Sequence, residues 1–221
     1  MKSWIIVFMT GFIIGCADND ITQNQPENET DSFVTGETSA LNWQPLIFKE
    51  LYSFYKMYDS SFAADSFELV QQSNVEDYPA EAIDANKLQT FGKLISYNTD
   101  STYGIDVFSY NYVTDKIGER TYVQAGEPDM EASLIDVNKK ERKRLLYLGP
   151  SYILFEAQWL NKNEMVIGGA EIISENKIKP LLWKINLTER ALETYSYQGI
   201  IKSNPFTILG ARLGYGDLFL R

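Results

Sequence analysis

The stretch Ile153-Leu154-Phe155-Glu156-Ala157-Gln158-Trp159-Leu160-Asn161-Lys162-Asn163-Glu164-Met165-Val166-Ile167 decides the fold class. In an extended chain Ile153, Phe155, Ala157 and Trp159 share one face, with Glu156 and Gln158 opposite. That is the two-residue side-chain period of a half-buried strand. Asn161-Lys162-Asn163 then supplies turn residues, and an apolar run restarts at Met165. The reading is a β-hairpin.

Working outward, Leu181, Trp183, Ile185 and Leu187 alternate in the same way against Lys184 and Asn186. Ser174-Glu175-Asn176 and Thr188-Glu189-Arg190 are the turn-like segments on either side. Further candidate strands are Phe67–Gln71, Leu94–Tyr97, Ile105–Val113, Arg120–Gln124, Ser133–Val137, Arg144–Leu148 and Glu193–Tyr197. Short runs separated by turn chemistry predict a mainly β domain, an antiparallel meander. Two helices interrupt it. Ile47, Phe48, Leu51, Tyr52, Tyr55 and Tyr58 recur at helical spacing across Trp43–Tyr58, with Pro45 in the first turn, so an amphipathic helix is expected near the N-terminus. A strand is the competing reading of that ring-rich segment. Tyr52, Phe54, Tyr55 and Tyr58 either line a sugar-stacking platform or, more simply, pack the helix onto the sheet. Residues Pro79–Lys87 predict a second, short helix.

Leu134-Ile135-Asp136-Val137-Asn138-Lys139-Lys140-Glu141-Arg142 aligns with Leu182-Trp183-Lys184-Ile185-Asn186-Leu187-Thr188-Glu189-Arg190 at an offset of 48 residues. Leu134/Leu182, Asn138/Asn186, Glu141/Glu189, Arg142/Arg190 and, further on, Tyr147/Tyr195 are identical. A strand, an Asn-x-x-Glu-Arg turn and a second strand resemble the outer hairpin of TolB-like and WD-repeat propeller blades. The 157–167 segment resembles their inner-strand hairpin. Two or three such units do not close a ring, so the resemblance implies a meander with blade-like hairpins, a partial propeller at most.

At the other end, Lys2 is the sole charge before Cys16, and residues 4–14 are apolar apart from Thr10 and Gly11. This is a basic segment, a short apolar segment and a small residue before the cut. The apolar run falls short of the roughly 20 residues a membrane-spanning helix needs. Ile13-Ile14-Gly15-Cys16 resembles the lipobox of bacterial lipoproteins. The resemblance implies cleavage between Gly15 and Cys16, a diacylglycerol on the Cys16 thiol, and attachment to the cell envelope. After Cys16 the chain is polar and acidic, with no Lys or Arg until Lys49. Such composition reads as a disordered tether. Asp18 and Asp20 also resemble the acidic surface-export signals of Bacteroidota lipoproteins, without the basic residue often found beside them. The expected division is a signal peptide over 1–15, a lipidated cysteine and tether over 16–40, and one β-rich domain over 41–221.

Composition excludes more than the motifs assert. Asp and Glu total 30 against 20 Lys and Arg, which disfavours nucleic acid and anionic lipid as partners. There is no histidine, and Cys16 is the only cysteine. Ser-His-Asp and Cys-His catalysis, histidine-ligated zinc or haem, and thiolate metal sites are therefore out. Carboxylate chemistry, Ser-Lys chemistry and oxygen-ligated Ca²⁺ or Mg²⁺ remain open.

Three local patterns carry possible chemistry. Lys139-Lys140-Glu141-Arg142-Lys143-Arg144 either touches phosphate or an acidic partner, or is a solvated hairpin turn. Glu127, Asp129 and Glu131 alternate in a Gly-Pro loop, either ligating Ca²⁺ or simply solvated; the EF-hand spacing is absent. Asp100-Ser101-Thr102 resembles the short O-glycosylation sequon of Bacteroidota. None of these patterns assigns catalytic residues, a metal or a cofactor. The expectation is a non-enzymatic lipoprotein of the outer membrane, periplasmic or surface-exposed, that binds a protein or glycan partner. The alternatives are a carboxylate-dependent enzyme acting on glycans and an immunity-type lipoprotein that neutralises a toxin.

Overall fold

The computed structural model describes residues 49–126, 128–214 and 216–221. In chain order they form α1 (Lys49–Tyr58), β1 (Phe67–Asn74), β2 (Ala80–Ala82), α2 (Ala85–Phe91), β3 (Ser96–Tyr97), β4 (Tyr103–Asp106), β5 (Tyr112–Ile117), β6 (Arg120–Ala125) and β7 (Met130–Asp136). There follow β8 (Glu141–Leu148), β9 (Tyr152–Trp159), β10 (Glu164–Ser174), β11 (Lys177–Asn186), β12 (Ala191–Tyr197), α3 (Pro205–Gly214) and β13 (Leu218–Leu220). Among the described residues the domain is mainly β, and no sheet closes into a barrel. Among the described residues no helix is long and apolar enough to cross a membrane.

The first sheet is the meander β9-β10-β11-β12, closed at its far edge by β1. Phe67 pairs with Tyr197 and Asn74 with Ala191, so an early strand is held by the last strand of the meander. The second sheet has the order β2-β8-β7-β4-β3, and the third β13-β6-β5. Among the described residues all strand pairs are antiparallel except β13 with β6. Trp159 Nε1 donates to the Ser96 carbonyl at 2.9 Å, tying the first sheet to β3 of the second. Tyr55 of α1 is buried and donates its hydroxyl to the Gly169 carbonyl of β10 at 3.1 Å.

Several expectations are corrected. Ile105–Val113 is not one strand: Asp106 Oδ1 accepts from the N–H groups of Phe108 and Ser109 at 2.8 and 2.9 Å, and this side-chain turn ends β4 and opens a loop before β5. The expected helix over Pro79–Lys87 is displaced. Ala80–Ala82 pairs with β8, and α2 starts only after Asp84, whose carboxylate accepts from the N–H groups of Asn86 and Lys87. Leu94 lies in a single 3-10 turn, so β3 begins at Ser96. For the expected helix Trp43–Tyr58, residues 43–48 lie outside the described residues, as do the signal segment and tether.

Sequence patterning assigns no element to residues 198–221, where the structure has α3 and β13. Asn204 Oδ1 accepts from Phe206 N–H at 2.8 Å and Pro205 takes the first helical position, a standard helix start.

The internal repeat is real as hairpins, but its register differs. Asp136 Oδ1 accepts from the N–H groups of Asn138 and Lys139 at 3.1 and 3.0 Å. Asn186 Oδ1 accepts from those of Thr188 and Glu189 at 3.0 and 3.1 Å. Lys140 and Arg190 close the two turns with φ of 57° and 56°. The structural match therefore runs Asp136 to Asn186 and Lys140 to Arg190, an offset of 50 residues rather than 48. The hydrogen-bonding Asx and the left-handed residue set the turn, and the identical Asn138 and Asn186 are not equivalent.

Candidate functional site

Two strand irregularities build the two candidate sites. On β7 and β8, Ser133 pairs with Arg144 but Ala132 pairs with Leu146, leaving Leu145 as an extra residue. A strict two-residue period would place Arg144 and Tyr147 on opposite faces. The bulge returns them to one face and lets Leu145 and Leu146 both be buried.

Beneath this face Glu131 is 1% exposed. Its Oε1 accepts from Arg142 Nη1 at 2.8 Å and from the Ser133 hydroxyl, and its Oε2 accepts from Arg144 Nε at 2.7 Å. Arg142 Nη2 continues to Glu81 of β2 at 2.8 Å. The Arg144 guanidinium lies 4.5 Å from the Tyr147 ring centroid, 4.9 Å from that of Tyr78 and 5.8 Å from that of Tyr110. Ring faces attract such a cation, and its planar fork stacks on them. The Tyr147 hydroxyl donates to Asp129 at 2.6 Å, and that hydrogen bond pushes its phenol up to about 12.

Tyr110 is placed by the loop that Asp106 opens. Asn111, fully buried, donates to the carbonyls of Val107 and Glu131 and accepts from the Glu131 N–H at 2.7 Å. The loop is thereby fastened to β7 at the residue that holds both arginines. The result is a half-buried face of three tyrosines and two neutralised arginines, with a cleft of about 100 Å³ between Tyr78, Pro79, Glu81, Arg142 and Arg144.

The second irregularity is on β9. Glu156 pairs with Gly168, but Leu154 pairs with Gly169, so Phe155 is the extra residue. The expected single face Ile153, Phe155, Ala157 and Trp159 is broken there, and Glu156 turns inward beside Phe155 instead of opposing it. Both line a pocket of about 430 Å³ whose other walls include Leu51, Phe54 and Met57 of α1 and Ile208 and Ala211 of α3. Glu156 is 7% exposed. Its burial, aided by the charge of Glu50, pushes the carboxyl up to about 7, against the pull of Arg212 and of the Leu51 backbone N–H. Arg212 Nη1 donates to Glu50 at 2.9 Å, while its Nη2 stands 3.7 Å from Glu156 Oε2. Glu156 Oε1 has no hydrogen-bond partner among the described residues.

Gly15 and Cys16, the expected cleavage and lipidation site, lie outside the described residues, as does Glu127. Asp129 is engaged by Tyr147. Glu131 belongs to a strand and is buried against two guanidinium groups, not solvated on a loop with Asp129. Among the described residues no three acidic side chains gather as a metal site. The basic run does not act as one patch: Lys139 and Lys140 occupy the turn, Lys143 reaches Asp77 at 2.5 Å, and Arg142 and Arg144 hold Glu131. Asp100-Ser101-Thr102 forms the β3–β4 turn, with Ser101 exposed at φ 55°. Of the four helix rings, Tyr55 is buried and Tyr52 packs on Phe62, so those two serve the core; Phe54 lies tilted against Tyr58 with ring centroids 4.8 Å apart.

Sequence reasoning missed Tyr78, Tyr110, Glu156 and Arg212. The adjacent Leu145-Leu146 and Gly168-Gly169 pairs, which interrupt or face an alternating strand, were the available signals. Comparison with known protein families, with curated proteins and with solved structures finds no match to this chain.

Proposed function

We propose that this chain is a lipid-anchored lipoprotein of the bacterial cell envelope that works as a non-enzymatic binding module. Its anchor is the lipid on Cys16, and its partner is a protein or glycan. The observation that carries the binding reading is the ring of Tyr78, Tyr110 and Tyr147 around Arg144. Tyrosine and arginine dominate the energetic centres of protein interfaces, and tyrosine rings also stack on sugars. Because Glu131 fixes both arginines from below, the face is ordered before any partner arrives, which lowers the entropic cost of binding. Blade-like hairpins, β7–β8 and β11–β12, are the scaffold in this reading.

The test has two parts. Cys16→Ser should abolish incorporation of labelled fatty acid and release the protein from the membrane fraction. A partner captured on detergent-extracted wild-type protein should be lost with Tyr147→Ala and Tyr78→Ala, both of which leave the Glu131 ion pairs in place. Equal fatty-acid label on Cys16→Ser would remove the anchor, and capture indifferent to both tyrosines would remove the binding face.

A specific observation supports the enzyme alternative: Glu156 is a buried carboxyl that titrates near neutral pH beside a pocket. Hydrolysis of a glycan that disappears in Glu156→Gln, with folding intact, would establish it.

A further inference from the structure

The pocket under α1 and α3 is separate from the tyrosine face and has its own chemistry. Glu156 is held in its floor by the β9 bulge; the Leu51 backbone N–H of α1 acts on the carboxyl, yet Oε1 has no hydrogen-bond partner among the described residues. A buried carboxylate oxygen in that condition is costly, and structures tolerate it where a ligand or water completes it. Arg212 does not fill the role: it is committed to Glu50 at 2.9 Å and is 3.7 Å from the other oxygen, Oε2. Above Glu156 the walls are the rings of Phe54 and Phe155 with Leu51, Met57 and Ile208. The volume of about 430 Å³ falls in the range of small-molecule sites.

We infer that this pocket binds a small organic amine, its ammonium on Glu156 Oε1 and its apolar body against Phe54, Phe155 and Ile208. An ammonium supplies a hydrogen-bond donor for Oε1 and a close counter-charge for Glu156, whose nearest cation, Arg212, is shared with Glu50, while Lys49 lines the pocket with no ion pair to Glu156. The flanking rings add favourable contact with a cation. A carboxylate or phosphate would meet the buried Glu156 at the floor, while the cations of the lining, Lys49 and Arg212, stand at the exposed side with Glu50, so an anion is disfavoured where the apolar walls would place its charge. A neutral alcohol satisfies the hydrogen bond but leaves the charge uncompensated.

The probe is hexylammonium, titrated by calorimetry into the full-length protein at pH 8, with hexanoate and 1-hexanol as controls. Saturable binding of hexylammonium is expected, at least tenfold tighter than 1-hexanol, with none for hexanoate. Glu156→Gln should weaken it at least tenfold. Lowering the pH to 5.5 should weaken it too, since Glu156 gains a proton; the other charged groups lining the pocket are Lys49, Glu50 and Arg212, and the buried phenol of Tyr55 lies behind Glu156. Ala211→Trp, at an exposed position on the rim, should block the site independently of Glu156. Absence of saturable binding, equal binding of 1-hexanol, or indifference to both Glu156→Gln and Ala211→Trp would overturn the inference. None of these outcomes bears on the tyrosine face.

Discussion

Arg144 Nε stands 2.7 Å from the buried Oε2 of Glu131, across the bulge in the β7–β8 ladder. The carboxylate is inaccessible while both arginines are about a quarter exposed, so the pair is asymmetric. Removing the cations strands a buried charge; removing the anion leaves two groups that water still reaches. The double variant Arg142→Met/Arg144→Met should cost about 3–5 kcal/mol, and Glu131→Gln about 1–3 kcal/mol. Adding Glu131→Leu to the double variant should recover much of the loss. Urea denaturation of the series decides it: equal losses for the two sides of the pair would mean Glu131 is better solvated than its burial indicates.

Trp183 and Trp159 should behave differently. Trp183 is buried, faces Tyr152 and covers Gly169, so Trp183→Ala should cost about 3–5 kcal/mol. Trp159 is half-buried and its distinctive contribution is the hydrogen bond to Ser96. Trp159→Phe keeps an aromatic ring but removes the N–H and part of the indole, and should lose about 1–2 kcal/mol. Thermal unfolding of both variants, compared with wild type, tests the ranking.

Gly169 has no room for a side chain. A β-carbon there would lie 2.3 Å from the Ile153 carbonyl oxygen and 2.9 Å from the Trp183 ring. The first neighbour is backbone held by the β9 bulge and does not yield. Gly169→Ala should destabilise by about 2–3 kcal/mol, whereas Gly149→Ala, which meets nothing, should be near neutral. A tolerated Gly169→Ala would show that the bulge shifts freely.

Stability should fall as pH rises through the window set by Glu156. The unfolded carboxyl titrates near its ordinary value of 4.5, and desolvation raises the folded one to about 7. Between these the folded state holds more protons, so raising the pH disfavours it, up to about 3 kcal/mol from this group, and the effect levels off above 7. Tyr55, whose phenol burial pushes well above its ordinary value, stays neutral throughout. Glu156→Gln should flatten that part of the profile and be more stable than wild type at pH 8. Identical slopes for the two proteins would place the carboxylate in better solvation.

Lys140 takes a left-handed conformation that costs an ordinary residue about 1 kcal/mol. Lys140→Gly removes that strain at an exposed turn and should raise stability by up to about 1 kcal/mol. The denaturation midpoint reads it directly, and a drop would mean that Lys140 contributes contacts beyond the turn.

Side-chain alternation and turn residues alone determined that this chain is mainly β and where hairpins such as β9–β10 and β11–β12 turn, because both are local properties. Trp183 and Ile185 against Lys184 and Asn186 needed no partner strand to be read. Absence of histidine likewise bounded the chemistry without any fold. Tertiary structure decided the rest. A bulge is a mismatch between two strands, so neither strand announces it, yet bulges bring Arg144 and Tyr147 onto one face and turn Glu156 inward. Closure of the first sheet by β1, the meeting of Glu131 with Arg142 and Arg144, and the approach of Arg212 to Glu156 all depend on which distant surfaces pack together. Those contacts follow from burying apolar area across the whole domain, a sum over residues far apart in sequence that no local window contains.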